Sequence, residues 1–424
     1  MSTLSINSTE LNHINQTTIK IISILIYLLP LAIITGPFLS DLIVSLVGIY
    51  FIYISIKYKF YDYYKFNIVK IFLVFYILIF ISSLTSDYRI LSFESSFFYF
   101  RFLFFSLGTL FIINQSNNFF QNFKIYLFIT LLVLVIDALF QFINGENLLG
   151  YITLNGRISS FFEDELVLGH YLVRIFPIFI AVSIFIHKES KINYLLFVIL
   201  STLIIVTILI SGDRSAFLLL VIEIVLMLVL FKSYTRFRII FFFFILMVLS
   251  LIFFFSETVK SRSINATIIQ MGLDKQEMIL FSKYHERMFE SSIKMFIDKP
   301  ILGHGPKTFR VMCIDDNYYV EGGSCSTHPH NTYMQLLAET GFLGFIIIMG
   351  VFVYIAFVFL KQLYYLYITR ENHALSDYHV CLLIAVFINL WPLVPTLNFF
   401  NNWISVLYFF PIGFLLINAK KLSN

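Results

Sequence analysis

Apolar runs close to 20 residues long recur from one end of this 424-residue chain to the other, and no other feature restricts its fold so tightly. A helix of that length crosses a hydrocarbon layer of about 30 Å with its backbone amides and carbonyls bonded internally, which is the condition a bilayer imposes. With 59% hydrophobic and only 13% charged residues, a soluble globule of this size would lack the polar surface to cover itself. The expected fold is therefore an all-α polytopic membrane protein. About twelve runs qualify, at 19–36, 38–56, 68–84, 95–114, 124–143, 165–187, 192–211, 214–231, 237–255, 332–360, 377–395 and 403–419. The run at 332–360 exceeds one span, so its first turns are expected to stand outside the bilayer or to tilt.

Basic residues are retained in short cytoplasmic loops, so their placement sets orientation. Lys57, Lys59, Lys65, Lys70, Lys124, Lys188, Lys191, Lys232, Arg236, Arg238, Lys361, Arg370, Lys420 and Lys421 fall in one alternate set of loops; the short loops of the other set hold only Arg89, Arg157 and Arg214. Both termini are expected in the cytoplasm. The opening MSTLSINSTELNHINQTTIK has no apolar core and reads as no cleavable signal. Residues 256–331, the one long hydrophilic segment, then lie outside, between the ninth and tenth helices. The chain reads as one membrane domain, 1–424, with 256–331 as a capping loop within it. The net charge of +4 belongs to the inner lysines and implies no nucleic-acid partner.

Cys313 and Cys325 share that outer segment, twelve residues apart, and are candidates for a disulfide closing a loop, worth on the order of 3 kcal/mol. Cys381 lies within a helix and reads as packing. Intramembrane charge is costly and marks function by default. Arg101 and Arg174 fall in the outer halves of their helices, and Arg157 and Arg214 in or beside outer loops. Guanidinium forks suit phosphate, and several in one cleft suit a diphosphate. The structural alternative pairs Arg157 with Glu163, Asp164 or Glu165 and Arg214 with Asp213; for Asp137 and Glu223 structural partners are expected.

The sequence STHPHNTYMQLLAETGFLGF at 327–346 places His328, His330 and Asn331 ahead of a long apolar helix. Asn331 is a good N-cap, and an imidazole at the positive end of a helix can stay neutral and accept a proton. Small residues such as Gly341 and Gly344 let a neighbouring helix approach closely. Three readings stand side by side: a base activating a hydroxyl, a metal site built from His304, His328 and His330, and a hydrogen-bonded structural histidine.

The motif H-N-x9-G-x-x-G, formed by His330, Asn331, Gly341 and Gly344, resembles the signature of the O-antigen ligase and O-antigen polymerase superfamily. YHERMFESSIKMFIDKPILGHGPKTF at 284–309 resembles its outer-loop block, GRISSFFEDELVLGHYLVR at 156–174 and SGDRSAFLLL at 211–220 its arginine blocks, and WPLVPTLNFFNNW at 391–403 its last outer loop. The resemblance runs from about residue 90 to the C-terminus. It implies a metal-independent, cofactor-free glycosyltransferase of a bacterial inner membrane, acting in lipopolysaccharide biosynthesis on the periplasmic side. The donor it implies is a glycan on undecaprenyl diphosphate, and the acceptor a glycan or lipid A core. His330 matches the catalytic histidine, Arg214 the arginine at a helix start, Arg287 the loop arginine, and Arg157 a less sharply defined block. Two departures stand out: His170 occupies a position often held by a small residue, and Asp213 replaces the serine of a serine-arginine pair.

On that resemblance Arg214 and Arg287, with Arg157, clamp the donor diphosphate and His330 accepts the acceptor's proton, with inversion. Polymerase, ligase and protein O-oligosaccharyltransferase share these parts and differ in acceptor. A transporter or flippase for a lipid-linked glycan is the rival of another class; it predicts charges on both sides of the midplane and an internal repeat.

Overall fold

The computed structural model describes residues 15–186, 191–233, 235–270, 281–369 and 375–417. Their regular structure is all helical, with no strand and only two isolated bridges in the 146–157 loop. Helices α1 (Gln16–Ile34), α2 (Pro37–Lys57), α3 (Asn67–Leu84), α4 (Arg89–Ser96), α5 (Phe100–Gln115), α6 (Phe119–Asn144), α7 (Leu168–Phe185), α8 (Lys191–Ile210), α9 (Arg214–Leu230) and α10 (Thr235–Phe255) precede the hydrophilic segment. Helix α11 (Lys283–Asp298) lies within that segment, and α12 (Thr332–Tyr364), α13 (Asp377–Asn389) and α14 (Asn402–Leu415) follow it.

Among the described residues, eight helices are long and apolar enough to cross a membrane. The expected span at 192–211 falls on α8, of 20 residues, whereas those at 214–231, 377–395 and 403–419 fall on helices of 17, 13 and 14 residues. Helix α13 has 13 residues, about 20 Å at 1.5 Å per residue. It stops at Asn389 because Pro392 and Pro395 follow, and a residue ahead of proline is driven out of helical geometry. Of the orientation residues, Lys188, Arg370, Lys420 and Lys421 lie outside the described residues, as do both chain ends.

The helix boundaries have local causes. The Asn15 side chain accepts from Thr17 N at 2.8 Å to start α1, Pro37 opens α2 after Gly36, and Gly145 in left-handed geometry closes α6. One apolar core joins α1–α3, α5–α10 and α12–α14, built on the close pairs α2–α5, α7–α13 and α5–α14. A second, small core of Met288, Met295, Phe309, Met312, Cys313 and Tyr318 seats the 283–325 segment on Ala338 of α12.

Helix α12 is broken at Gly341, where φ is 63° and ψ −165°. The turn Pro300–Gly305 enters the break: Phe342 N donates to Pro300 O (2.8 Å), His304 N to Ala338 O (3.1 Å) and Gly305 N to Glu339 O (2.8 Å). Ser82 of α3 reaches the same point, donating to Leu302 O at 2.7 Å. The closeness expected of Gly341 and Gly344 toward another helix is thus of a different kind. A Cβ on Gly341 would stand 2.5 Å from the Ile301 carbonyl, and one on Gly344 would strike Thr340 of its own helix. Gly341→Ala combines that clash with a left-handed φ and is expected to cost roughly 3 kcal/mol or more. A thermal melt in detergent checks this, and an unchanged midpoint would mean that the break is not rigid.

Candidate active site

His330 sits immediately before the N-cap of α12 in a left-handed backbone conformation, φ 55°, that non-glycine residues seldom adopt. The 390–401 segment holds it there. Thr396 N donates to the His330 carbonyl at 2.8 Å, and Asn331 Nδ2 to the Pro392 carbonyl at 2.8 Å. Asn331 Oδ1 accepts from Tyr333 N (3.0 Å) and Met334 N (3.2 Å), which satisfies two free amides of the helix start. A strained residue held by so many bonds is the kind of outlier from which a functional role can be argued.

Three imidazoles meet at this point. The His328 and His330 ring centroids are 4.1 Å apart, and His285 of α11 meets His330 edge to face at 5.6 Å. His328 is buried and fixed as a neutral tautomer, because its Nε2 faces the Thr396 carbonyl (3.0 Å) and must donate, leaving Nδ1 to accept from Thr327 Oγ1 (3.0 Å). Burial, and then neighbouring His330, pull His328 down to about 3. His330 is half-buried, with Ser326 Oγ 3.3 Å from its Nε2. Burial first, and then His285, lower it to about 4, so it is neutral over the physiological range. His285 is itself lowered by burial and by the charge of Arg214. Its Nδ1 is 2.6 Å from Ser282 Oγ, the N-cap of α11.

Arg214 links the imidazoles to a group of guanidinium ions. It is the first residue of α9, where Asp213 is the N-cap, and its Nη1 donates to Thr267 Oγ1 at 3.2 Å. Arg157 and Arg262 lie close enough to act on it electrostatically. Gly212, at φ 71°, leaves room for both: a Cβ there would meet Arg157 Cγ at 3.1 Å and Arg262 Cγ at 3.4 Å. Burial and then the charge of Arg262 lower the Arg157 guanidinium, against the opposing pull of Asp213. Arg157 Nη2 also donates to Leu166 O at 2.8 Å.

The ion-pair partner of Arg157 is Asp213 (3.5 Å), not the nearby Glu163, Asp164 or Glu165. Asp213 is the end of a buried relay. Arg174 Nη1 donates to His170 Nδ1 (2.7 Å), so His170 Nε2 carries the proton and faces Ser215 Oγ (3.0 Å), which donates to Asp213 Oδ1 (2.8 Å). Burial pushes the Asp213 carboxyl up, but His170 and Arg157 together with the bonds from Ser215 and Ala216 hold it below its usual range. Gly169 lets α7 close on this point, since a Cβ there would meet Ser211 Oγ at 2.7 Å.

The expected arginines therefore separate. Arg157 and Arg214 share one place, which also reaches His285 and His330. Arg174 stands behind it, 2% exposed, and touches it only through His170 and Asp213. Arg101 is engaged with Asp41 at 2.7 Å and stacks on Phe102. Arg287 donates to the Gly322 carbonyl. The His304, His328 and His330 set is not assembled, because His304 Nε2 donates to Met295 O at 3.0 Å while His328 binds Thr396. Cys313 and Cys325 are thiols side by side in the small core; burial, and then its hydrogen bond with Cys325, push Cys313 up to about 12.

Two residues escaped the sequence reading. His285 lay in the quoted block at 284–309, three residues after the capping Ser282, and only its neighbour Arg287 stood out there. Arg262, in a π-helical turn after α10, carries no motif; its sole signal is a position just beyond the end of a helix.

A helical bundle with this polar group at one end is the architecture of a multi-pass membrane protein. A family model described as O-antigen ligase matches residues 195–349, a window holding Arg214, Arg262, His285, Arg287, His330, Asn331, Gly341 and Gly344. The match bears out the resemblance to the O-antigen ligase and O-antigen polymerase superfamily read from the His330 motif. No curated protein matches the chain.

Proposed function

We propose that the protein transfers or polymerises an undecaprenyl-diphosphate-linked glycan on the periplasmic face of a bacterial inner membrane, with inversion and without a metal ion. The observation that carries this reading is the gathering of Arg157, Arg214 and Arg262, beside His285 and His330, around the carboxylate of Asp213. Like charges so close are unfavourable alone and become favourable around a polyanion.

The guanidinium group binds the donor diphosphate and offsets the charge that grows as the anomeric C–O bond breaks. The acceptor hydroxyl oxygen forms the new bond from the opposite face, its proton passes to His330, and undecaprenyl diphosphate leaves as the anion. His328, fixed in one tautomer, packs His330 in place. Residues 256–331 act as the cap that excludes water. Arg174 serves by fixing His170 and Asp213, Arg287 by holding the Gly322 turn, and Arg101 by its pair with Asp41, rather than by touching donor.

Two results follow. His330 must be neutral to accept a proton, and its value of about 4 sets where that fails. The pH profile of kcat/KM, which reports the free enzyme, should stay flat as pH falls through the ordinary histidine range and drop only toward pH 4. An acid limb near 6.5, the unperturbed value, would contradict a buried base. Arg262→Gln should lower transfer by about 10²-fold, the scale of losing one preorganised donor to a leaving-group charge. Unaltered turnover in that variant would remove Arg262 from the site.

A further inference from the structure

At the end of the bundle remote from His330, helices α7–α10 leave an apolar cleft of about 480 Å³. Helix α7 measures the separation: Gly169 and His170 are at the polar site, whereas Ser183 lines the cleft, thirteen residues and about 20 Å along the same helix. Ile180, Phe197, Ile224, Met227, Phe241 and Ile245 form its walls. Helix α10 forms one side and packs sparsely, with only 11% of its most apolar stretch buried.

Helices embedded in lipid gain nothing from hydrophobic expulsion and associate by filling space, so an empty cleft here forfeits dispersion contact on every wall. Water is a poor filler of so apolar a space. The wall does hold two polar atoms in need of a partner: the hydroxyls of Ser183 and Ser201 are buried and make no hydrogen bond.

The mouth is cationic. Arg238 lines it, with Nη1 on the Met227 and Leu228 carbonyls (3.2 and 2.9 Å), Nη2 on Thr235 Oγ1 (3.1 Å), and Nε buried without a partner. Lys232 and Arg236 are exposed in the same connection. Asp377 is also at the mouth, but it accepts from Lys232 N (2.8 Å) and Ser233 N (3.1 Å). Arg238 at the mouth, with Lys232 and Arg236 exposed in the adjoining connection, outweighs the carboxylate of Asp377 and favours an anionic headgroup.

We propose that this cleft binds an anionic glycerophospholipid, with one acyl chain between α8 and α10, its ester oxygens within reach of the serine hydroxyls, and its phosphate at Arg238. The inference is independent of the reaction proposed above.

The test is photolabelling of the full-length protein in nanodiscs with phosphatidylglycerol or phosphatidylcholine carrying a diazirine in one acyl chain, followed by peptide mapping. Phosphatidylglycerol should label the 194–205 and 241–245 peptides in preference to phosphatidylcholine. Ile224→Trp, which fills the cleft, should remove that labelling. Neutralising Lys232 and Arg236 by glutamine should reduce the preference by about fivefold for each charge lost near the headgroup. That double variant serves in place of Arg238→Gln, since Arg238 also holds the end of α9. Equal labelling by the two lipids means annular lipid only and overturns the proposal. So does labelling that survives Ile224→Trp, or labelling displaced by polyprenyl phosphate but not by unlabelled phosphatidylglycerol.

Discussion

Replacing His330 is expected to lower glycan transfer by about 10²–10⁴-fold, the range a positioned general base contributes, while donor binding stays close to normal. The split follows from the geometry. The imidazole is neutral, half-buried and next to the cations without being one of them, so its loss removes a proton acceptor and leaves the anion site in place. Asparagine is the informative replacement, because it tolerates the left-handed φ of 55° better than alanine does. A His330→Asn enzyme that binds donor and still forms product at the normal rate would end the base assignment. One that loses donor binding as well would recast His330 as part of the anion site.

Arg214→Lys should cost about 10²-fold in turnover although the charge is kept, on the scale of losing one preorganised hydrogen-bond donor. Arg214 opens α9 with its guanidinium on Thr267 Oγ1 and its neighbours Arg157 and Arg262 alongside. A planar fork can make two parallel bonds to a diphosphate from that position, whereas an ammonium ion acts as a point charge. The comparison with Arg214→Gln separates the two contributions. If lysine restores full turnover, charge alone matters and the fork geometry does not. If lysine and glutamine are equally poor, the directional bonds dominate.

The sequence carried the membrane helices because a bilayer demands long apolar runs, and that demand is visible in one dimension. It did not carry their ends. Asn389 closes α13 six residues before the expected limit because of the prolines that follow, and the polar turn at Gly341 was hidden inside an apolar run. The Gly341 position itself was legible from the motif, but its purpose was not: a glycine that admits a helix and one that admits the Pro300–Gly305 turn look alike until the partner is seen.

The candidate site shows the same limit. His330, Asn331 and Arg214 were found because each stands at a helix start, a local feature. The structural alternative for Arg157, a pair with the neighbouring acids, looks in the wrong place: its carboxylate is that of Asp213, an N-cap 56 positions on. Arg262 and His285 join only through packing between the turn after α10, α9 and α11, which no spacing rule encodes. Arg101 and Arg174 stand out because buried charge is costly; Asp41 meets that cost for Arg101, whereas Arg174 finds only His170 through Nη1 and leaves its Nε buried without a partner.

The most direct measurement incubates the purified protein with undecaprenyl-diphosphate-linked repeat units, with and without lipid A core, alongside the His330→Asn and Arg262→Gln variants, and follows both donor and product. The account predicts that the wild type consumes donor and forms a longer or core-linked glycan, that Arg262→Gln is strongly slowed, and that His330→Asn binds donor without turning it over. A ladder without core would identify a polymerase and a single core-linked product a ligase. Donor left intact by the wild type with every acceptor offered, lipid-linked, core or protein, would contradict the account at its centre.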